Sequence, residues 1–315
     1  MSDLILHHYP ESPFSEKIRL LLAYKEQNYK GVHIPIIMPK PDLMPLTGGY
    51  RKTPVLQIGA DVYCDTALIA RLIDRLYPHN SIFPEAVAAS GGAMAHWTDT
   101  FFFKVCVAMA FQPRALANNP VFQDPEKADA FARDRAELTK GSSELSMAFE
   151  TAHPHFLTHM KHLDTQLSDG RKFLFGDAPT IADFSTYHCC WFIYNNEAIR
   201  NEFDSFQIVL AWLHRMGAFD QAKETEISGA DALEIARQSE PEKETKIAAM
   251  HVDGLTAGDM VEVMPIDYGF DPVRGELLIA SLEELVVLRH DDQVGEVAVH
   301  FPRFGFQIKK VQEDK

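Results

Sequence analysis

Residues 9–22 read Tyr9-Pro10-Glu11-Ser12-Pro13-Phe14-Ser15-Glu16-Lys17-Ile18-Arg19-Leu20-Leu21-Leu22. An apolar run, Leu4-Ile5-Leu6, leads into this stretch, and a helical stripe of Phe14, Ile18, Leu21 and Leu22 leads out of it. Ser12 suits the N-cap, where its oxygen accepts from the free N–H groups of the first turn. Pro13 suits the first helical position, where a missing N–H costs nothing. The stretch therefore sets a hydroxyl at a helix N-terminus on the carboxyl end of a strand. That setting favours an anion.

Outward from it, residues 3–8 read as a strand, 13–25 as a helix and 31–37 as a second strand, with Pro35 marking an edge or an end. Residues 38–50 are rich in Pro, Gly and Met and read as loop with at most one helical turn. A strand starts at Thr53-Pro54 and runs to Ile58, Gly59-Ala60-Asp61 turns, and Val62-Tyr63-Cys64 returns. Asp65 and Thr66 cap a helix striped by Ile69, Leu72, Ile73 and Leu76. The order is β-α-β-loop-β-β-α over residues 1–80, an α/β domain, with a boundary at the proline-bearing segment 77–84.

Residues 85–225 carry helical patterns and form an all-α domain. Helices are expected over 93–109, 125–150, 154–168 and 205–216, and Thr180-x-x-Asp183 reads as a capping box. Ser228-x-x-Asp231 caps a further short helix, and polar residues 239–246 complete a helix-and-linker segment, 226–250. In 251–315 five strand-like runs alternate with turns, at 260–266, 275–280, 285–290, 294–300 and 304–308. Such spacing suits a small all-β, SH3-like barrel. Nothing in its sequence states a role.

The net charge of −15 is uneven. Residues 1–84 hold nine Lys/Arg against eight Asp/Glu, residues 85–250 fifteen against twenty-four, and residues 251–315 six against thirteen. Neither later segment offers the basic face that a nucleic acid needs. No run of eighteen apolar residues and no signal segment is visible, so no membrane span or secretion is expected. The cysteines, Cys64, Cys106, Cys189 and Cys190, form no C-x-x-C, and reduced thiols in the cytoplasm are the simplest expectation. His155, His159 and His162 share a helix face, but without H-E-x-x-H they read as a solvated face, and no metal is expected.

The element order and motifs resemble the cytosolic glutathione S-transferases, with a thioredoxin-like N-terminal domain and an all-α C-terminal domain. Ser12-Pro13-Phe14 with Arg19 further along is similar to the Cys-Pro-Phe turn of the omega class, serine standing where that class has cysteine. Thr53-Pro54 resembles the x-cis-Pro step, and Asp65-Thr66 the Glu/Asp-Ser motif. The Thr180–Asp183 box extends the resemblance to about residue 220. It implies glutathione as co-substrate. The backbone of Thr53 beside Pro54 would hold the cysteinyl part, and Asp65 and Thr66 the γ-glutamyl end. Ser12 would stabilise the thiolate, with Ser15 and Tyr9 as rivals. Tyr9, Phe14, Phe102 and Cys106 are candidates for the shelf under a small apolar electrophile. The family habit implies a homodimer.

Each residue also has a plainer reading. Ser12 is a sufficient N-cap, Asp65 and Thr66 a sufficient helix start, and Tyr9 a half-buried aromatic. Phe101-Phe102-Phe103 and the cysteines are ordinary core material. Serine at position 12 argues against thiol–disulfide exchange. A non-catalytic binding or interaction protein on the same fold is the alternative.

Overall fold

The computed structural model describes residues 3–117, 119–219, 222–247 and 254–311. The chain divides into two compact units. One gathers Met1–Ile18, Asn28–Leu72 and Lys223–Lys315; the other gathers Arg19–Gln27 and Ile73–Ala222. Among the described residues no helix is long and apolar enough to cross a membrane.

The chain opens with β1 (Ile5–His8), α1 (Pro13–Tyr24), β2 (Tyr29–His33), the single-turn α2 (Met44–Thr47), β3 (Val55–Ile58), β4 (Asp61–Cys64) and α3 (Thr66–Leu76), all in the first unit but for the last turns of α1 and α3. β1 pairs in parallel with β2 and antiparallel with β3, and β3 pairs antiparallel with β4. This is the arrangement that the resemblance implies.

The second unit holds α4 (Ala88–Trp97), a π-helical turn (Thr98–Phe102), α5 (Phe103–Ala110) and the short α6 (Pro113–Leu116) and α7 (Pro120–Gln123). They are followed by α8 (Pro125–Leu138), α9 (Phe149–Leu167), α10 (Ile181–Tyr194) and α11 (Gln207–Gly217). The helix expected over 125–150 stops at Leu138, and Gly141 follows at φ +80°, where a helix cannot continue. Helix α10 is buried from Ile181 to Cys190, so it is the core of this unit. Its capping box is formed. The buried Asp183 also accepts from the Leu174 N–H at 2.8 Å and from the Trp212 indole at 3.1 Å, tying three segments to one carboxylate. Lys25 is buried beside Asp74 at 2.7 Å and donates to the carbonyls of Tyr77, His79 and Asn80. It therefore neutralises the carbonyl end of α3.

The C-terminal part returns to the first unit. It supplies β5 (Glu224–Glu226), α12 (Gly229–Arg237), β6 (Lys246–Ile247), β7 (Met260–Pro265), β8 (Val273–Ala280), β9 (Glu284–Asp291), β10 (Gly295–Pro302) and β11 (Phe306–Lys310). All five expected strand runs are present. Their order, β11-β7-β8-β9-β10, is an antiparallel meander with the fifth strand back beside the first, as in an SH3-like barrel. The meander does not stand apart, however. β10 pairs in parallel with β4, Val299 opposite Val62, so one eleven-stranded sheet spans both parts. One apolar core joins Ile5, Val32, Val55 and Val62 to Val263, Val287, Val299 and Phe301. The expected separation of 251–315 from the first domain is therefore corrected. Its expected start falls within residues 248–253, outside the described ones. The cause is in β10, buried from Val297 to Pro302 without alternation, as a strand covered on both faces must be. β4 would otherwise be an open edge.

The other edge is covered too. β5 pairs in parallel with β2, Glu224 opposite Tyr29. Nothing in Glu224-Thr225-Glu226 alternates, because all three residues are exposed.

Candidate functional site

Ser12 precedes α1, and its hydroxyl oxygen accepts from the Ser15 N–H at 3.2 Å. The cap expected from the sequence is formed. Among the described residues no acceptor takes the hydroxyl proton, which is left to donate. Ser12 is only 2% exposed and Ser15 is fully buried. Among the described residues the Ser15 hydroxyl has no hydrogen-bond partner. Tyr9 is half-buried and packs against the main core, with the Lys40 ammonium 5.9 Å from its ring centre.

Thr53 and Pro54 are joined by a cis peptide bond, as the resemblance implies. The Thr53 hydroxyl accepts from Lys40 Nζ at 2.9 Å, and the Arg51 carbonyl accepts from the same nitrogen at 3.0 Å. Lys40 is buried.

Asp65 stands between β4 and α3 at φ +74°, a left-handed conformation rare for a residue with a side chain. Its Oδ1 accepts from the Ala67 N–H at 2.8 Å, so Asp65 caps α3. Strain at a helix entry is a feature of functional turns. Thr66 is buried, and its hydroxyl accepts from Lys17 Nζ at 3.3 Å. Lys17 is itself buried.

A third lysine completes the group. Lys52 Nζ lies 2.6 Å from Asp267 Oδ1 and 3.8 Å from the centre of the Tyr268 ring. Burial lowers its pKa, and the charges of Asp267 and Asp65 oppose that. Asp267 and Tyr268 belong to the loop between β7 and β8. The C-terminal strands thus send a carboxylate to the neighbourhood of Asp65.

Ser12, Tyr9, Phe14, Thr53, Pro54, Asp65 and Thr66 all lie in the first unit. Phe14 is half-exposed. Phe102 and Cys106 lie in the helical unit and are buried. Phe102 stacks on Trp97 at 5.8 Å and meets His159 at 4.4 Å, while burial pushes the Cys106 thiol up. Both are core residues and offer no surface to an electrophile, which corrects their place on the substrate shelf. On the histidine face of α9, His155 and His162 are exposed as expected, whereas His159 is half-buried with its Nε2 shielded from solvent, and burial lowers its pKa to about 4. Cys64 is buried, with its thiol pushed well up by burial, so it is a packing residue.

Sequence reasoning missed Lys17, Lys40, Lys52, Asp267 and Tyr268. Lys17 had a signal, since it lies on α1 one residue before the apolar stripe position Ile18. The others sit in loops.

Residues 6–81 match the family model for the glutathione S-transferase N-terminal domain, and residues 129–215 match that for the C-terminal domain. A solved GST-like protein from Pseudomonas syringae is 38% identical, covers 99% of this chain and 100% of its own, and superposes with a TM-score of 0.83. A glutathione S-transferase from Rhodospirillum rubrum is 18% identical over 68% of this chain and 88% of its own, with a TM-score of 0.51. The beta-etherase LigF from Sphingobium is 16% identical over 69% and 95%, with a TM-score of 0.50. The last two share the fold of about two-thirds of the chain. The Pseudomonas protein spans the C-terminal strands as well. No curated protein matches. From the two domain models and the full-length Pseudomonas relative, the chain belongs to the glutathione S-transferase family.

Proposed function

We propose that the chain binds glutathione in the first unit, stabilises its thiolate at Ser12 and transfers it to a small apolar electrophile. The observation that carries this reading is the set of three lysines around the expected peptide-binding residues. Lys40 touches Thr53, Lys17 touches Thr66, and Lys52 feels the charge of Asp65. Glutathione brings two carboxylates and one ammonium. Thr66 at the N-terminus of α3, with Lys17 beside it, suits the γ-glutamyl carboxylate. Asp65 suits the ammonium. Thr53 fixes the cysteinyl backbone, so the sulfur is held in one place.

A free thiol has a pKa of about 8.5, and lowering it by about two units corresponds to about 2.7 kcal/mol. The N-terminus of α1 contributes about 0.3–2 kcal/mol. A hydrogen bond donated by the Ser12 hydroxyl to the sulfur supplies the rest. In the transfer, the thiolate sulfur forms a bond to the electrophilic carbon and the leaving group departs with its electron pair. Ser15 is the rival donor, one turn further in. Assembly as a homodimer belongs to the same reading, checked by light scattering of the purified chain.

Calorimetric titration of the full chain with glutathione tests the binding step. Ser12→Ala is expected to keep binding while the ultraviolet thiolate band of bound glutathione shifts to higher pH. No heat at millimolar glutathione sinks the reading. A band that moves with Ser15→Ala or Tyr9→Phe instead reassigns the donor. The burial of Ser12 and the occupation of Lys52 by Asp267 favour a second reading, a binding protein without turnover. Binding without conjugation of any model aryl halide would support that one.

A further inference from the structure

Three donor side chains, none of them among the residues proposed to hold glutathione, meet at the β2 edge of the sheet. His8 ends β1 and His33 ends β2, directly opposite each other in the parallel register. Glu224 opens β5, opposite Tyr29. Positions 29, 31 and 33 of β2 alternate onto one face, so Tyr29, Gly31 and His33 share it. Glu224 reaches His33 by crossing Gly31. A Cβ at Gly31 would fall 2.1 Å from Glu224 Oε1 and 2.6 Å from its Cδ, so only glycine leaves that path open. The carboxylate is thereby aimed along the strand. Its Oε1 lies 2.8 Å from His33 Nε2 and 3.3 Å from His8 Nε2. Its Oε2 accepts from the Tyr29 hydroxyl at 2.9 Å.

We propose that His8, His33 and Glu224 form a binding site for a divalent transition-metal ion, zinc by the character of its donors. One ligand atom from each residue lies within 4.8 Å of the other two. In a tetrahedral site with bonds of about 2.0–2.1 Å, neighbouring ligand atoms are about 3.3 Å apart. The His8–Glu224 separation already has that value, and the His33–Glu224 separation opens by about half an ångström when a metal takes the place of the shared proton. Two imidazoles and one carboxylate are a known zinc donor set that leaves a fourth position for water. The Tyr29 hydroxyl holds the second carboxylate oxygen, the outer hydrogen bond that orients a metal-bound carboxylate. Access is from the His33 side. The His33 and Glu224 side chains are 42% and 26% exposed, while that of His8 is 2% exposed. An ion here would bridge β1, β2 and β5 and pin the three-residue strand that opens the C-terminal part of the chain.

The full chain, stripped with chelator and dialysed, is titrated with zinc chloride by calorimetry, with melting followed in parallel. One zinc per chain and a raised melting temperature are expected. His33→Ala removes an exposed ligand without touching the core, and about a 10- to 100-fold loss of affinity is expected with loss of the melting shift. Gly31→Ala keeps all three ligands but drives a methyl into the Glu224 carboxylate, and about a 10-fold loss is expected. The proposal is overturned by absence of binding at micromolar zinc, or by equal affinity in either variant. Zinc held elsewhere by other histidines would give that second result.

Discussion

The two edges of the four N-terminal strands are closed by the same chemistry in different surroundings. At the β4 edge, His300 on β10 is buried between two carboxylates, 3.1 Å from Asp61 through Nε2 and 2.8 Å from Glu284 through Nδ1. Its ring stacks on Tyr63 at 4.2 Å. At the β2 edge, His8 and His33 share one carboxylate, Glu224, and half of that cluster faces solvent. In the first case both imidazole nitrogens are taken by protein acceptors, and the strand that carries His300 is buried from Val297 to Pro302. In the second, the covering strand is exposed at all three residues and leaves the cluster open. Burial and the supply of partners, not residue type, divide a structural clasp from a place where a ligand can enter.

Truncation at the sealed edge is expected to give the largest effect. Phe301 is fully buried on β10 against Tyr50 and Phe306. Phe301→Ala is expected to cost about 3–5 kcal/mol in denaturant unfolding. Thr225→Ala at the open edge is expected to leave the midpoint unchanged. Equal losses would break the contrast between the edges.

His300 gives the next effect. Burial disfavours its charge, but the hydrogen bonds and charges of Asp61 and Glu284 prevail, and its pKa is raised. A raised pKa means that the contribution is complete below the unfolded value of about 6.5 and fades as pH rises through the folded value. His300→Gln is expected to cost about 1–3 kcal/mol at pH 6 and less at pH 9, measured as the difference in unfolding free energy from the wild type. A difference that grows with pH would reverse the sign and remove the charged clasp.

Ser12→Ala is expected to cost about 1 kcal/mol through loss of the cap, besides its effect on the thiolate. Asp267→Asn is the smallest. It frees Lys52 from an ion pair worth about 0.2–1 kcal/mol, so glutathione is expected to bind about 1.4- to 5-fold tighter by calorimetry. Weaker binding would mean that Asp267 helps to hold the ligand rather than competing with it.

Local signals survived translation into structure, and distant ones did not. Ser12-Pro13, the Thr180–Asp183 box and the Ser228–Asp231 box each concern residues within one helical turn, so the sequence displays them directly. The five C-terminal strands were legible from their turns. Their partner was not, because Val62 and Val299 meet across most of the chain and nothing local in either says so. Only the unbroken burial of β10 hints at it. β5 was illegible because Glu224-Thr225-Glu226 holds no apolar residue to mark a strand. Lys40 and Lys52 read as ordinary loop lysines until the fold sets them beside Thr53 and Asp267. Phe102 and His159 failed for a related reason. Which side chains turn inward is decided by neighbours distant in the sequence: Phe102 meets Phe156, and His159 beside the buried stripe of α9 meets Trp97 and Phe102.

The pairing of β4 with β10 also sets a timetable for synthesis. β4 leaves the ribosome at Cys64, but the strand that covers its edge ends only at Pro302. At about 5–20 residues per second, that edge waits roughly 10–50 seconds for its neighbour. During that interval Val62 and Cys64 belong to an open edge that other nascent chains can pair with. The first unit to emerge is therefore among the last to close, and chaperone demand during translation should fall when the C-terminal strands are supplied in trans as a separate polypeptide.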